Sequence, residues 1–321
     1  MSTVLGLIRD TFRQSLACGL FSILFALTFM LTAVCLSIRV GPPSTLAASG
    51  NPNAKDPTSF KQSAMPGTNG DFTIAFGAIR IPLGREPRQA VHFLQLLLAG
   101  GVADTLGLLL TLIWTAGFLP GFLEGRSVTV LLAKPTPRWV LLAGKYLGVL
   151  AFVLFHATLF VVGTWLAIGW RTGIWDGTYL FAIPLLVLHF AVFFSVSLLL
   201  AVCTRSTVVC AFGSILFWSI AWAMNYGRHA LAARSQLMPD GHFSSSVSWL
   251  VDFGYWVLPK PADFGMLLYN ALDAKDFFGS TFDAASLAAH GFSLWLSVLT
   301  SLAFTAYMLF AAARRFATLD Y

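Results

Sequence analysis

The sequence predicts an all-α polytopic membrane protein with six transmembrane helices, and three observations predict it. Hydrophobic residues make up 57 % of the 321 positions and charged residues only 11 %, where a soluble domain carries about 25 % charge. The apolar residues fall into six long runs. Short, basic segments separate alternate runs. So much apolar surface cannot be hidden in a soluble core of this length. Disordered chains, nucleic-acid-binding domains and secreted disulfide scaffolds are excluded by the same composition. The four cysteines, Cys18, Cys35, Cys203 and Cys210, lie in apolar runs without CxxC spacing, which reads as buried thiols and not as a metal or disulfide framework.

A helix needs about 20 mostly apolar residues to cross roughly 30 Å of hydrocarbon. Runs at 16–37, 93–120, 140–170, 179–203, 207–224 and 286–313 meet or approach that length. Irregular backbone cannot face lipid, so each is expected to be helical. The first run exceeds the 7–15 residues of a signal-peptide core and is followed by Arg39, so it reads as a retained anchor. Ahead of it, Val4, Leu5, Ile8, Phe12 and Leu16 share one helical face while Arg9, Asp10, Arg13 and Gln14 lie elsewhere. That pattern is an interfacial amphipathic helix over 1–15.

Charge sets the orientation. With the N-terminus inside, the inner segments hold Arg9, Arg13, Arg126, Lys134, Arg138, Lys145, Arg205, Arg314 and Arg315 against Asp10, Glu124 and Asp320. Lys and Arg in short loops decide topology, whereas long loops translocate regardless of charge. Both termini are therefore expected in the cytoplasm, and the chain in the inner (plasma) membrane. The resulting layout is an interfacial helix (1–15), a first transmembrane helix (16–40) and an extracytoplasmic loop (41–90). Helices two to five follow (91–224), then an extracytoplasmic segment (225–285) and the sixth helix with a short tail (286–321). Within the first loop, DFTIAFGAIRIPLG reads as a short strand or hairpin. The aromatic segment WLVDFGYWVLPKPADFGMLLYNAL reads either as a helix lying at the interface or as a compact loop packed on the helix ends.

The connection between the second and third runs, residues 119–138, is more elaborate than a tight turn requires. Pro120-Gly121 breaks the helix, and Pro135 and Pro137 forbid a continuous one further on. A short separate helix is expected over 122–132, resting its apolar face on the bundle. Glu124-Gly125, Leu131-Leu132, Lys134-Pro135, Arg138 and Gly144-Lys145 together resemble a pattern found in permease subunits of type-2 ABC exporters, in particular the nitrous-oxide-reductase-maturation subgroup. The resemblance implies a half-transporter: two permeases pair, as a homodimer or with a second permease, in the lipid bilayer. Each docks a separate ABC ATPase subunit through the segment carrying Glu124, Gly125, Arg126, Lys134, Pro135 and Arg138.

No cofactor is expected on this chain, with ATP and Mg on the partner ATPase, and no nucleic acid is expected. Gly144-Lys145-Tyr146 does not open a phosphate loop, because position 139 is Trp and position 146 is Tyr. Lys145 instead reads as snorkelling to the inner headgroups. Gly144 and Gly148 form a G-x-x-x-G pair that suits close helix packing or a dimer contact.

Ionisable residues inside the runs are Asp104, His156 and His189, and a charge in hydrocarbon defaults to a functional reading. Asp104, near the outer end of its run, either lines a translocation path or pairs with Arg85 or Arg88. His156 and His189 are either hydrogen-bonded between helices, part of that path, or axial ligands of a haem in an electron-transfer subunit. No paired carboxylates or GxS motif within the runs support a hydrolase; the chain is expected to be a transport subunit and not an enzyme.

Overall fold

A computed structural model describes residues 13, 19–41, 71–74, 79–82, 87–123, 137–232, 245–272 and 293–318. Six helices in it are long and apolar enough to cross a membrane: Gly19–Leu36, Arg88–Leu123, Arg138–Thr172, Gly177–Thr204, Thr207–Leu231 and Trp295–Ala317. They alternate in direction, so one end of the bundle holds the start of the first span and the finish of the sixth. We call it the terminal end. The expected interfacial helix over 1–15 lies outside the described residues, apart from Arg13.

The first span is α1 (Gly19–Leu36). The second is composite: α2 (Pro87–Leu96), a π-helical stretch (Leu97–Gly107), α3 (Leu108–Thr115) and α4 (Phe118–Leu123). The third is α5 (Arg138–Thr172). A 3-10 turn (Gly177–Phe181) leads into α6 (Ala182–Thr204), the fourth. The fifth is α7 (Thr207–Ala232), and α8 (Ser245–Val257) and α9 (Pro261–Ala271) precede α10 (Leu294–Ala317), the sixth. A small antiparallel sheet joins β1 (Arg39–Gly41), β2 (Asp71–Ile74) and β3 (Ile79–Pro82) in that order, with Arg39 opposite Thr73 and Phe72 opposite Ile81. The hairpin expected in that stretch is thus β2–β3, with β1 added from the end of the first span.

The fourth span is the hub. Helix α6 packs against α3, α4, α5, α7, α9 and α10, and Val192, Phe193, Phe194, Leu198 and Ala201 along it are fully buried. The outer helices show the opposite pattern. Ile23, Phe29 and Met30 on α1, and Trp295, Leu299 and Phe310 on α10, are exposed, as lipid-facing side chains are. Along the spans, hydroxyls satisfy themselves on their own helix: Thr28 donates to the Leu24 carbonyl at 3.0 Å, Thr111 to Gly107 at 2.6 Å and Thr305 to Ser301 at 2.9 Å. In hydrocarbon no water is available to do so.

Two left-handed residues turn the chain at the span ends. Gly173, with φ 74°, closes α5, its N–H donating to the Gly169 carbonyl at 2.9 Å. Arg205, with φ 53°, closes α6 and lets α7 begin two residues later. Trp175 folds back over Gly169, where a Cβ would stand 2.5 Å from the indole ring.

Near the terminal end the second span breaks at Ala116-Gly117, one turn earlier than Pro120 marks in the sequence. The cause is proline itself. Pro120 has no N–H for the Ala116 carbonyl, and its ring would clash there, so the chain restarts with Pro120 in the first turn of α4. Of the separate helix expected over 122–132, only Phe122 and Leu123 are described, as the end of α4; the rest lies outside the described residues. Gly144, Lys145 and Gly148 are all buried within the single chain. Lys145 does not snorkel to headgroups: it is 1 % exposed, and its ammonium lies 5.8 Å from the Phe122 ring centre.

The aromatic segment before the last span forms two helices packed against the side of the bundle. Helix α8 descends along α7, with Gly254 against Met224 and Gly227 against Val251. The chain turns at Leu258–Pro259–Lys260, where the Lys260 N–H donates to Ser301 Oγ at 3.3 Å and Nζ to Thr300 Oγ1 at 2.7 Å. Those partners lie within the sixth span, so the turn sits well below the bundle's end. Helix α9 then climbs back until Ala271 and Leu272 line a cleft with Arg88, His92 and Gly173. The two helices form a hairpin, and the end of the bundle it enters from is the hairpin end. Its outward side chains, Trp249, Leu250, Phe253 and Trp256, are exposed and apolar, as lipid contact requires. The fifth span accordingly runs past the expected limit at 224, to Ala232.

Crowding at Gly169 generates a stability prediction. Gly169→Val should lower stability by about 1–3 kcal/mol, the usual cost of overpacking, read as a lower melting temperature in detergent. Gly265→Ala, with open space around its Cβ position, should leave it unchanged or raise it by up to about 1 kcal/mol.

Candidate functional site

The second span widens where it carries its only acid. Over Leu97–Gly107 the backbone is π-helical, and the Leu108 N–H reaches back five residues to the Ala103 carbonyl. Such stretches are rare and gather at functional sites. Asp104 lies near the middle of Arg88–Leu123, and His189 near the middle of Gly177–Thr204. The Asp104 carboxylate is paired with His189 Nδ1.

His189 is 1 % exposed. Its ring lies between Phe193 and Phe264, each centred 5.3 Å away, and its Nε2 is buried without a hydrogen bond among the described residues. The expectation for Asp104 is a place near the outer end of its run, either lining a translocation path or paired with Arg85 or Arg88. Asp104 is the twelfth of the 28 residues in the run 93–120, which already sets it near mid-depth, and with the helix beginning at Pro87 it lies several turns from Arg88 and is paired with His189 instead. Arg85 lies outside the described residues. Arg88 instead lines the cleft at the hairpin end, where His92 Nε2 lies 3.3 Å from Asp176 Oδ2.

His156 sits at the same depth but in a different place. Its Nε2 is 3.3 Å from Thr28 Oγ1 of the first span, beside a cavity of about 70 Å³ lined mainly by Leu, Val and Ala from the first four spans. His189 does not line that cavity. The two histidines do not share that cavity. A cavity this small is also far below the roughly 300–1,000 Å³ of ordinary ligand pockets, so the residues do not fit a haem between them.

At the terminal end, Arg138 opens α5 and its Nη1 donates to the Ala317 carbonyl at 3.3 Å, joining the third span to the sixth. Glu124, Gly125, Arg126, Lys134 and Pro135 lie outside the described residues. Their anchor does not: Phe118, Leu119, Phe122 and Leu123 of α4 are buried against the hub helix α6. Tyr146 OH donates to the Ala191 carbonyl at 2.8 Å, two residues from His189.

A second polar cluster escaped the sequence reading. Asp263, 1 % exposed, accepts from Asn225 Nδ2 at 2.8 Å, pairs with His229 Nε2 at 2.7 Å, and accepts from Tyr255 OH at 3.3 Å. Arg228 pairs with Asp252 beside it. The available signal was the i, i+4 spacing of Asn225 and His229 on a continuing helix, and an acid opening the apolar run DFGMLLY.

Residues 8–321 match the family described as ABC-2 family transporter protein. The chain belongs to that family. No curated protein matches it. Membership makes it a membrane permease subunit of an ABC transporter, and implies an ABC ATPase as partner. In the permease Gly144-Lys145 lies inside α5.

The Asp104–His189 pair should be read out in stability. Asp104→Ala leaves both ring nitrogens of a buried imidazole unpartnered, at about 1–3 kcal/mol, whereas Asp104→Asn keeps an acceptor and should lose less. Chemical unfolding of the purified permease in detergent checks the order of the two variants.

Proposed function

We propose that this permease is the membrane half of an ATP-driven exporter, resembling the nitrous-oxide-reductase-maturation subgroup, and that it works as a pair with two ATPase subunits. Its terminal end faces the cytoplasm and it resides in the inner (plasma) membrane. The excess of Lys and Arg in the short segments at that end supports this orientation.

One observation carries the mechanism: both flanks of the 119–138 connection are built into the bundle. On one side α4 is buried against α6. On the other, Arg138 ties α5 to the end of α10. A push on the connection is therefore delivered to the hub helix and not absorbed in a loop. Glu124, Gly125, Arg126, Lys134, Pro135 and Arg138 form the docking segment for the ATPase. Nucleotide closure of the ATPase pair moves α4 and the start of α5, and Tyr146 carries the displacement to the α6 turn that holds His189. Asp104 and His189 line the translocation path, and His156 borders it from the first span's side. Access then exchanges between the two membrane faces.

The test is co-expression with an ABC ATPase subunit from the same organism. The two should co-purify, and Glu124→Lys should leave membrane insertion and ATP hydrolysis in place while transport falls at least tenfold. Full transport by Glu124→Lys overturns the coupling role, and failure to recover any ATPase overturns the assembly. Asp104→Asn should cut transport severalfold without affecting co-purification.

A further inference from the structure

At the terminal end a groove of about 550 Å³ opens between the start of the third span and the finish of the sixth. Arg138, Trp139, Phe310, Ala313, Arg314 and Ala317 line it. Its volume falls within the roughly 300–1,000 Å³ of ordinary ligand sites. Two guanidinium groups, one from each span, stand over walls that are otherwise apolar. Trp139 and Phe310 are 61 % and 56 % exposed. Exposed apolar surface continues from them toward mid-membrane, with Leu147 two turns on from Trp139 and Tyr307 one turn back from Phe310.

Both arginines are fixed in place. A basic side chain at the end of a span ordinarily snorkels outward to water. Arg314 does not. Its guanidinium lies 4.8 Å from the centre of the Phe310 ring, one turn back along α10 and on the bilayer side of its own backbone. Arg138 Nη1 donates to the Ala317 carbonyl at 3.3 Å, which sets that guanidinium at the groove's rim. Among the described residues no carboxylate pairs with Arg314. Two like charges brought to one groove repel each other, and an anion between them offsets the repulsion.

We infer that the groove binds an anionic phospholipid, with its phosphate between Arg138 and Arg314 and an acyl chain against Trp139 and Phe310. Guanidinium forks match phosphate oxygens in geometry as well as charge. The apolar walls select a lipid over a free phosphate, which has no chain to lay against them. The second guanidinium opposes the ammonium of a zwitterionic headgroup, so a net negative head is favoured. Trp139 stands at the end of its span, where aromatic side chains meet the headgroup level. Basic pockets between spans recognise lipid headgroups by this chemistry. The bound phosphate joins the third and sixth spans a second time, beside the Arg138–Ala317 contact. Neither an ATPase nor the direction of transport enters the site.

The test uses the whole permease in phosphatidylcholine nanodiscs with a small fraction of phosphatidylglycerol carrying a photoactivatable acyl chain. Crosslinks are located by mass spectrometry, and the same chain on phosphatidylcholine gives the reference. Crosslinks within 138–147 and 303–317 should be about fivefold or more enriched with the anionic probe. Arg314→Gln and Arg138→Gln should each bring that enrichment to within about twofold of none. Arg315→Gln removes an exposed arginine of the same turn that does not line the groove, and should leave it intact. Glycerol phosphate, a headgroup without chains, should not compete at millimolar concentration. No enrichment in the parent, or unchanged enrichment in Arg314→Gln, overturns the site. An equal loss in Arg315→Gln reduces it to diffuse attraction of anionic lipid to a basic surface, and overturns it too. Competition by glycerol phosphate makes the ligand a free phosphate ester, and labelling by neither probe means that protein covers the groove; either result overturns lipid binding. Melting temperature is followed alongside, because Arg138 also ties α5 to α10. Should Arg138→Gln lower it, Arg314→Gln alone decides.

Discussion

Lipid offers polar groups nothing to bond with, and that constraint organises the whole chain. Every hydroxyl, amide and charge at membrane depth must find a partner within the protein or stay costly. Threonines along the spans solve this locally, by donating to the carbonyl one turn back. Longer side chains cannot. Asp104 needs His189 from another span, Asp263 needs three donors from two helices, and Lys260 needs a hydroxyl from the sixth span. Each such demand fixes one helix relative to another more tightly than apolar packing does. The polar residues of this protein are few, and they act as its registration marks.

Those marks converge on the fourth span. At mid-depth it carries His189; two residues on, its backbone accepts from Tyr146 of the third span; nearer the terminal end it packs on α4. A displacement at the terminal end and a rearrangement at mid-depth are therefore two ends of one stiff element. Helix α6 is buried on nearly every side, so it transmits movement by shifting as a body and not by bending. Short, discrete shifts of packed helices are the usual currency of such transitions. The π-helical stretch opposite supplies a locally widened turn at the level of the Asp104–His189 pair.

The six spans, and the three ionisable residues Asp104, His156 and His189 within them, were legible in the sequence, because hydropathy over about 20 residues and the rarity of buried charge are both local signals. What hydropathy could not reach was the hairpin. At 13 and 11 residues, α8 and α9 are each too short to span, and Asp252, Lys260 and Asp263 dilute their apolar character. Only the structure shows Lys260 and Asp263 buried and hydrogen-bonded to neighbouring helices, with Asp252 paired to Arg228 at the surface. Partner identity was equally hidden: Asp104 and His189 are 85 positions apart, and no periodicity links them. The start of the second span was misjudged for a related reason. Arg88, His92 and Gln95 look like loop residues until the helix is seen to continue through them. The connection around Glu124 was legible as a motif, while its anchor in α4 followed from a rule about proline that acts one turn upstream of the residue itself.

The hairpin also shows why a membrane protein would hold a short element with polar contacts. In water, two helices of this size could be held down by burying apolar surface. In lipid that term nearly vanishes, because Leu against Leu is scarcely better than Leu against an acyl chain. Such a short helix must therefore be retained by hydrogen bonds, and the cheapest set is the one that also satisfies its own exposed N–H groups. Asn225 does both at once. The same economy places the attachment where the helix needs it: the cluster at the start of α9 satisfies its first N–H groups and ties it to the fifth span, one residue before Phe264 meets the His189 ring.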